Sequence, residues 1–243
     1  MKHILFLAAN SARSKAYAQV FAAHGFEIGR TIIFDKEQAS QPGKVTALSP
    51  PTGTCGLTLA DPGIPLQKTC REISVELLHL EAENVNENVV LEAIRKAAAD
   101  GFKAVVYSGY GGQLVGAELL NCGMPFLHAH SGWLPDYRGS TTVYYSLIDR
   151  DDCGVTVIAL APNIDLGPII ARRRFPAPSP GVDIDYYYDS AIRAELMAEV
   201  LQEFAEKGEF TMMAPQSEEE GHAYFVIHPV LKHLALLKLE TRD

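Results

Sequence analysis

Residues 103–130 read KAVVYSGYGGQLVGAELLNCGMPFLHAH, and in this stretch the hydrophobic pattern changes period and changes back. Lys103–Ser108 is short, apolar and continuous, as a strand buried on both faces must be. Gly109–Gly112 is a glycine turn, Gln113–Leu120 reads as a short helix, and Pro125–Ala129 is a second apolar strand. A strand, a turn, a helix and a strand of this length make a crossover between parallel neighbours.

The same alternation extends outward. Ile4–Ala8 is another short apolar strand, and Asn10 and Ser11 offer N-caps for a helix running to about His24 and closed by Gly25. Gln38–Pro65 is rich in Pro, Gly, Thr and Ser and is expected to be mostly loop. Asn84–Asn88 opens a helix with Leu91, Ile94 and Ala98 on one face, stopped by Gly101. Thr142–Asp149 is a further helix, Gly154–Ala161 and Pro168–Phe175 are two strands, and Asp183–Lys207 is a long amphipathic helix. Asn163–Gly167 is too short for a crossover helix, so the last two strands are expected to pair antiparallel. His228–His233 reads as a turn into a final helix. The fold class is therefore α/β, and in such a sheet ligands bind beyond the carboxyl ends of the strands.

Composition limits the function. The 243 residues make one large domain, or one with an appendage, and 47% hydrophobic with 21% charged residues is ordinary globular content. A net charge of −9 argues against sequence-independent nucleic-acid or anionic-membrane binding. Cys55, Cys70, Cys122 and Cys153 contain no CxxC pair, which favours buried thiols in a reducing cytosol over a zinc or redox site. The apolar start after Met1-Lys2-His3 is shorter than the core of a secretory leader and reads as the first strand, so a cytoplasmic protein is expected.

Chemistry concentrates at the strand ends. The first offers Asn10, Ser11, Arg13 and Ser14 at a helix start, where backbone N–H groups attract anions. The second offers Ser108–Gln113. On the third, alternation places His128 and His130 on one side of the strand. Two such imidazoles suit a metal, so a metal-dependent hydrolase using His128, His130 and Asp165 stays open at this point.

Phe126–Gly139, FLHAHSGWLPDYRG, resembles the signature of formyltransferases that use 10-formyltetrahydrofolate, the family of glycinamide ribonucleotide, methionyl-tRNA and sugar N-formyltransferases. Gly154–Val157 followed by Ile164–Ile170 looks like that family's strand and Asp-x-Gly-Pro loop. Gly63–Pro65, Ser108–Tyr110 and Gly221–Tyr224 are fainter echoes. The resemblance implies a Rossmann-like fold: a mostly parallel twisted sheet flanked by helices, with an antiparallel portion in the C-terminal half. It implies a catalytic domain over residues 1–210 and a C-terminal tail, 211–243, packing on the same domain.

It implies a site as well. An acceptor amine attacks the formyl carbon through a tetrahedral intermediate carrying an oxyanion. By position, His130 is the proton-transfer or oxyanion-stabilising imidazole, and Asp165 the carboxylate that polarises it or relays the proton through water. His128 stands where the family has asparagine, so the N–H donor to the oxyanion is expected from an imidazole; loss of catalysis, leaving a folate- or nucleotide-binding module, is the alternative. The co-substrate is 10-formyltetrahydrofolate, with no metal. It is expected against Tyr110, Gly111, Gly112, Gln113 and Leu114 and against Ala161, Asn163 and Ile164. The acceptor is expected to meet Asn10, Ser11, Arg13, Arg138 and Tyr144. No glycine cradle follows the first strand, which weakens a ribonucleotide acceptor, and the acidic charge and short tail count against tRNA. A small amine, an amino sugar or nucleotide-linked amino sugar, is the expected partner, and a second copy of the chain in a homodimer is a further one.

Overall fold

The computed structural model describes residues 1–36, 56–213 and 216–241, and these fall into two compact units. Residues 1–36 and Ala60–His128 belong to the first; residues 56–59 and 129–241 belong to the second. Cys55 and residues 38–55 of the expected loop lie outside the described residues.

The first unit is built on β1 (Ile4–Ala9), in which all six side chains are buried. It pairs in parallel with β2 (Ile28–Asp35) on one side and with β4 (Ala104–Ser108) on the other. β3 (Ser74–Glu81) continues beyond β2, and β5 (Phe126–His130) begins beside β4, giving the order β3-β2-β1-β4-β5. Helix α1 (Ala12–Ala23) starts where Ser11 accepts the Ser14 amide, and Gly25 follows it at φ +68. Its Tyr17 and Phe21 pack on Phe6, with ring centroids 6.2 and 5.6 Å away. Helices α2 (Leu66–Ile73) and α3 (Asn88–Ala99) lead into β3 and β4. The buried face of α3 carries Val90, Leu91, Ile94 and Ala97 rather than Ala98.

The helix expected over Gln113–Leu120 is corrected here. Residues 113–116 are not helical, and α4 spans only Ala117–Leu120. The turn is tied sideways instead: Gln113 Nε2 donates to the Glu83 carbonyl at 2.6 Å, and Asn86 bridges the Leu114 carbonyl and the Gly116 amide. The strand β2 had no sequence counterpart, because Gly29-Arg30-Thr31 separates Ile28 from the short apolar run Ile32–Phe34. Arg30 is nonetheless buried, paired with Glu76 at 2.6 Å and Asp100 at 2.8 Å.

In the second unit the end of β5 runs into a turn and β6 (Tyr137–Gly139), then α5 (Thr142–Arg150), β7 (Asp152–Ala159) and β8 (Ile169–Pro176). β8 pairs with β7 antiparallel, as the short connection requires. The long helix expected from Asp183 is two pieces, a π-helical turn Ile184–Tyr188 and α6 (Asp189–Lys207). The tail adds β9 (His222–Tyr224), parallel to β6, and α7 (Pro229–Glu240), whose Lys238 reaches the Leu147 and Ile148 carbonyls of α5. Among the described residues no helix is long and apolar enough to cross a membrane.

Since Phe6 is fully buried against two aromatic rings, Phe6→Ala should cost about 3–5 kcal/mol of stability. Urea unfolding measures this, and a loss below about 1 kcal/mol would mean that the first unit is packed differently.

Candidate active site

The site begins with a buried imidazole. His130 is 4% exposed at the end of β5. Its Nε2 lies 2.7 Å from the Tyr137 carbonyl. A carbonyl only accepts, so Nε2 carries the hydrogen and, in the neutral ring, Nδ1 carries the lone pair. Gly132 makes this contact possible: a Cβ there would fall 2.5 Å from the Tyr137 oxygen and 2.6 Å from His130 Nε2. Thr156 of β7 pins the same turn, accepting from the Leu134 amide at 3.0 Å and donating to the Gly132 carbonyl at 2.7 Å.

His130 Nδ1 faces Asp165 Oδ1 at 3.4 Å, longer than a direct charge-assisted bond. The other carboxylate oxygen accepts from the Gly139 amide at 2.7 Å. Asp165 is itself in the left-handed region, φ +57, which a non-glycine residue occupies only when its surroundings hold it there. Tyr137 and Gly139, two residues apart on β6, thus hold the two members of the pair through main-chain groups.

A buried polar cluster lies behind the imidazole. Arg193 of α6 donates to the Ala129 carbonyl at 3.1 Å and pairs with Asp189 at 2.9 Å; Asp189 accepts from Ser131 Oγ. Burial pushes the imidazole pKa of His130 down, and Arg193 adds to this, while Asp165, the Tyr137 carbonyl and Asp189 oppose it. The balance favours a neutral ring whose one available proton acceptor, Nδ1, points at a carboxylate. Such a pair can take up a proton between Nδ1 and Oδ1 and release it again.

The remaining expected residues are placed as follows. His128 is half-buried in the first unit, its ring 6.3 Å from that of Tyr107. Ser11 caps α1, and Arg13 donates to the Gly109 carbonyl at 2.5 Å, close to Ser108 Oγ at 3.4 Å. Tyr110 packs edge-on against Phe34, its hydroxyl bonded to the Asn10 backbone. A Cβ on Gly111 would meet nothing within 4 Å, Gly112 turns the chain at φ +80, and Leu114 is exposed. In the second unit Ile164 is exposed, Asn163 Nδ2 donates to Glu218 at 2.5 Å, and Arg138 donates to the Glu218 carbonyl at 3.1 Å. Tyr144 is buried, with its hydroxyl 2.8 Å from Asp185. Among the described residues no three His, Cys, Asp or Glu side chains are grouped so as to hold a metal ion.

The sequence reading missed Gly132, the Tyr137 carbonyl, the Gly139 amide, Asp189, Arg193 and Gln216. The glycines at 132 and 139 were the only local signal, since main-chain donors and acceptors leave no trace in residue type.

The model of the family described as "Formyl transferase" matches residues 4–198, well over half of the chain. The chain belongs to the formyl transferase family. Among curated relatives, the methionyl-tRNA formyltransferase of Listeria welshimeri is 28% identical over 163 residues, covering 64% of this chain and 48% of that protein. The chain thus spans about half the length of the curated relatives it matches. Two solved structures share the fold. The glycinamide ribonucleotide transformylase 1 of Symbiobacterium toebii is 18% identical with a TM-score of 0.56, covering 84% of this chain and 87% of that one. The N-formyltransferase of Helicobacter canadensis, solved with folinic acid and dTDP-3-aminofucose, is 13% identical with a TM-score of 0.56, covering 91% and 70%. The formyl transferase motifs of this chain coincide with the buried geometry: one carries His130 and β6, the other Asp165.

A neutral His130 makes stability depend on pH. Its folded pKa lies below the ordinary 6.5, so as pH falls past that value the unfolded chain binds a proton first. The contribution is complete above about pH 6.5 and is lost toward the folded value, at most about 1.4 kcal/mol per pH unit. Urea unfolding at about pH 7.5 and about pH 5.5 should show a steeper acid loss in the unsubstituted protein than in His130→Gln. Equal losses would mean that folding does not lower the imidazole pKa.

Proposed function

We propose that this chain transfers the formyl group of 10-formyltetrahydrofolate to the amine of a small acceptor, an amino sugar or nucleotide-linked amino sugar. The observation that carries the reading is the His130–Asp165 pair, buried and 3.4 Å apart, in a chain of the formyl transferase family. When bound, 10-formyltetrahydrofolate supplies an electrophilic formyl carbon. An amine attacking that carbon gives up a proton, and Nδ1 of His130 with Oδ1 of Asp165 receives it and returns it to the departing nitrogen. The Tyr137 carbonyl keeps the imidazole in the tautomer that leaves Nδ1 free for this. With Nε2 held there, proton transfer rather than oxyanion stabilisation is the role of His130. The N–H donor toward the oxyanion is His128, in the position of the family's asparagine.

Backbone at Tyr110–Leu114 and at Ala161, Asn163 and Ile164 takes the folate. The open side of Gly111 and the exposed Leu114 suit a flat ring with an apolar face. Residues 1–210 act as the catalytic domain and 211–243 as a tail packed on it. For the acceptor, two observations favour an amino sugar: the net charge of −9 repels tRNA, and the Helicobacter canadensis neighbour was solved with an aminosugar nucleotide. Arg138, Asn10, Ser11 and Arg13 are the polar groups offered to it.

A panel of amines, including nucleotide-linked amino sugars and glycinamide ribonucleotide, should be incubated with 10-formyltetrahydrofolate and read by tetrahydrofolate release. An amino sugar should be the best acceptor. His130→Ala and Asp165→Asn should each lower kcat by about a hundred- to ten-thousand-fold. Full activity in both variants would remove this pair from the mechanism, and transfer to no amine would refute the activity.

A further inference from the structure

The tail after α6 has no role in the mechanism above, yet it touches Asp165 and the β6 strand whose main chain holds His130. We infer that the segment Gln216–Tyr224 is a positioning strap for His130 and Asp165, with Gln216 as its key side chain. The proposal rests on the formyl-transfer reading for its purpose but not for its geometry.

Gln216 Nε2 donates to the Asp165 carbonyl at 2.8 Å and to the Gly167 carbonyl at 2.9 Å. Two carbonyl acceptors fix which end of the amide faces the loop and use both of its hydrogens. They stand on either side of Leu166, so a single side chain spans the turn that holds Asp165 at φ +57. The main chain gives that turn one long internal bond, Leu166 amide to Asn163 carbonyl at 3.4 Å. Aspartate tolerates left-handed backbone better than most non-glycine residues, and the two Gln216 bonds fix the turn in that conformation. Two residues on, Glu218 takes Asn163 Nδ2 at 2.5 Å and offers its own carbonyl to Arg138 at 3.1 Å, tying the loop to β6.

The other half of the strap is β9. It pairs with β6 in the register Tyr137↔His222 and Gly139↔Tyr224, and these are the two β6 residues whose main-chain groups hold His130 and Asp165. The His222 amide donates to the Asp136 carbonyl at 3.2 Å, and the Ser140 amide donates to the Tyr224 carbonyl at 2.9 Å. The approach is close: a Cβ on Gly139, at φ +99, would lie 2.1 Å from the Tyr224 oxygen, and one on Gly221 would lie 1.7 Å from the Pro135 oxygen. The Tyr224 ring is wedged between Tyr137 and Tyr145, with centroids 5.5 and 4.5 Å away. The strap therefore acts through main chain on the separation of Nδ1 and Oδ1.

The groups facing His130 are Asp165 from the loop, Asp189 and Arg193 from α6, and the Tyr137 carbonyl from β6. Releasing Gln216 lets Asp165 move while the others stay. The carboxylate favours the protonated ring, so its withdrawal moves the imidazole titration to lower pH.

The test uses the full chain with 15N-labelled histidine rings, followed by NMR from pH 8 downward. In folded Gln216→Met, the His130 Nδ1 midpoint should fall by about half a unit or more relative to the unsubstituted protein. In parallel, kcat for the best acceptor should drop about tenfold while KM for 10-formyltetrahydrofolate stays within about twofold. A folded Gln216→Met protein whose His130 titration superposes on the original overturns the proposal. If that variant does not fold, Gln216→Asn, too short to reach both carbonyls, is judged by the same midpoint. The ring titration needs no formyl transfer, so failure of the acceptor screen refutes the activity and leaves this assignment to stand or fall on the NMR result.

Discussion

The hydrogen bond from His130 Nε2 to the Tyr137 carbonyl, 2.7 Å long and shielded from water, decides what the candidate site can do. It commits the neutral imidazole to one tautomer and turns Nδ1 toward Asp165. A histidine without this bond would be free to present either nitrogen, and a proton-transfer pair with one defined acceptor would become a mixture. Several otherwise unrelated features exist to permit it. Gly132 leaves room for the carbonyl, Thr156 clamps the turn from β7, and β6 is held in place by a strand of the tail.

Burial makes this constraint expensive and useful together. A buried imidazole resists protonation, which keeps Nδ1 available as a base near neutral pH. The carboxylate at 3.4 Å offsets part of that resistance, so the ring can accept a proton when one is delivered. Arg193 and Asp189 enter as a nearly neutral pair: one disfavours the charged ring and the other favours it. Their net effect is mechanical, because Arg193 holds the Ala129 carbonyl next to His130 and Asp189 holds the Ser131 hydroxyl after it. Both neighbours of the imidazole are thereby fixed to one turn of α6.

Much of the fold was legible because buried parallel strands announce themselves. β1 and β4 are short, mostly apolar runs and β5 begins as one, and the short Asn163–Gly167 connection dictated the antiparallel β7–β8 pair. β2 and β3 were missed for physical reasons. Arg30 is a buried charge whose partners, Glu76 and Asp100, are far away in sequence, and β3 is a half-exposed strand with His79 and Glu76 in its span. The predicted helix at Gln113 failed because the Asn86 side chain captures the Leu114 carbonyl and the Gly116 amide, and the Gln113 side chain bonds the Glu83 carbonyl. In the site, His130 and Asp165 were readable since each lies in a motif with unusual residue types. The alternation that singled out His128 along with His130 was correct for the strand, but only His130 belongs to the unit that contains Asp165. Gln216 was unreadable: an amide that bonds main-chain carbonyls has no partner of recognisable type.

The turn after β1 bears on the choice of acceptor. Arg13 is the one cation in Asn10–Ser14, and its guanidinium already donates to the Gly109 carbonyl at 2.5 Å, while Ser14 Oγ donates to Ser108. An anion bound at this helix start would have to share Arg13 with a carbonyl that closes the end of β4. With Ser11 also committed to capping α1, the turn works chiefly to join β1 to β4, and little donor capacity remains for a terminal phosphate. An acceptor recognised mainly by hydroxyls and an amine places lighter demands on this turn than a monoester phosphate does. The same absence of glycine that removes a backbone cradle gives the turn side chains that stiffen it.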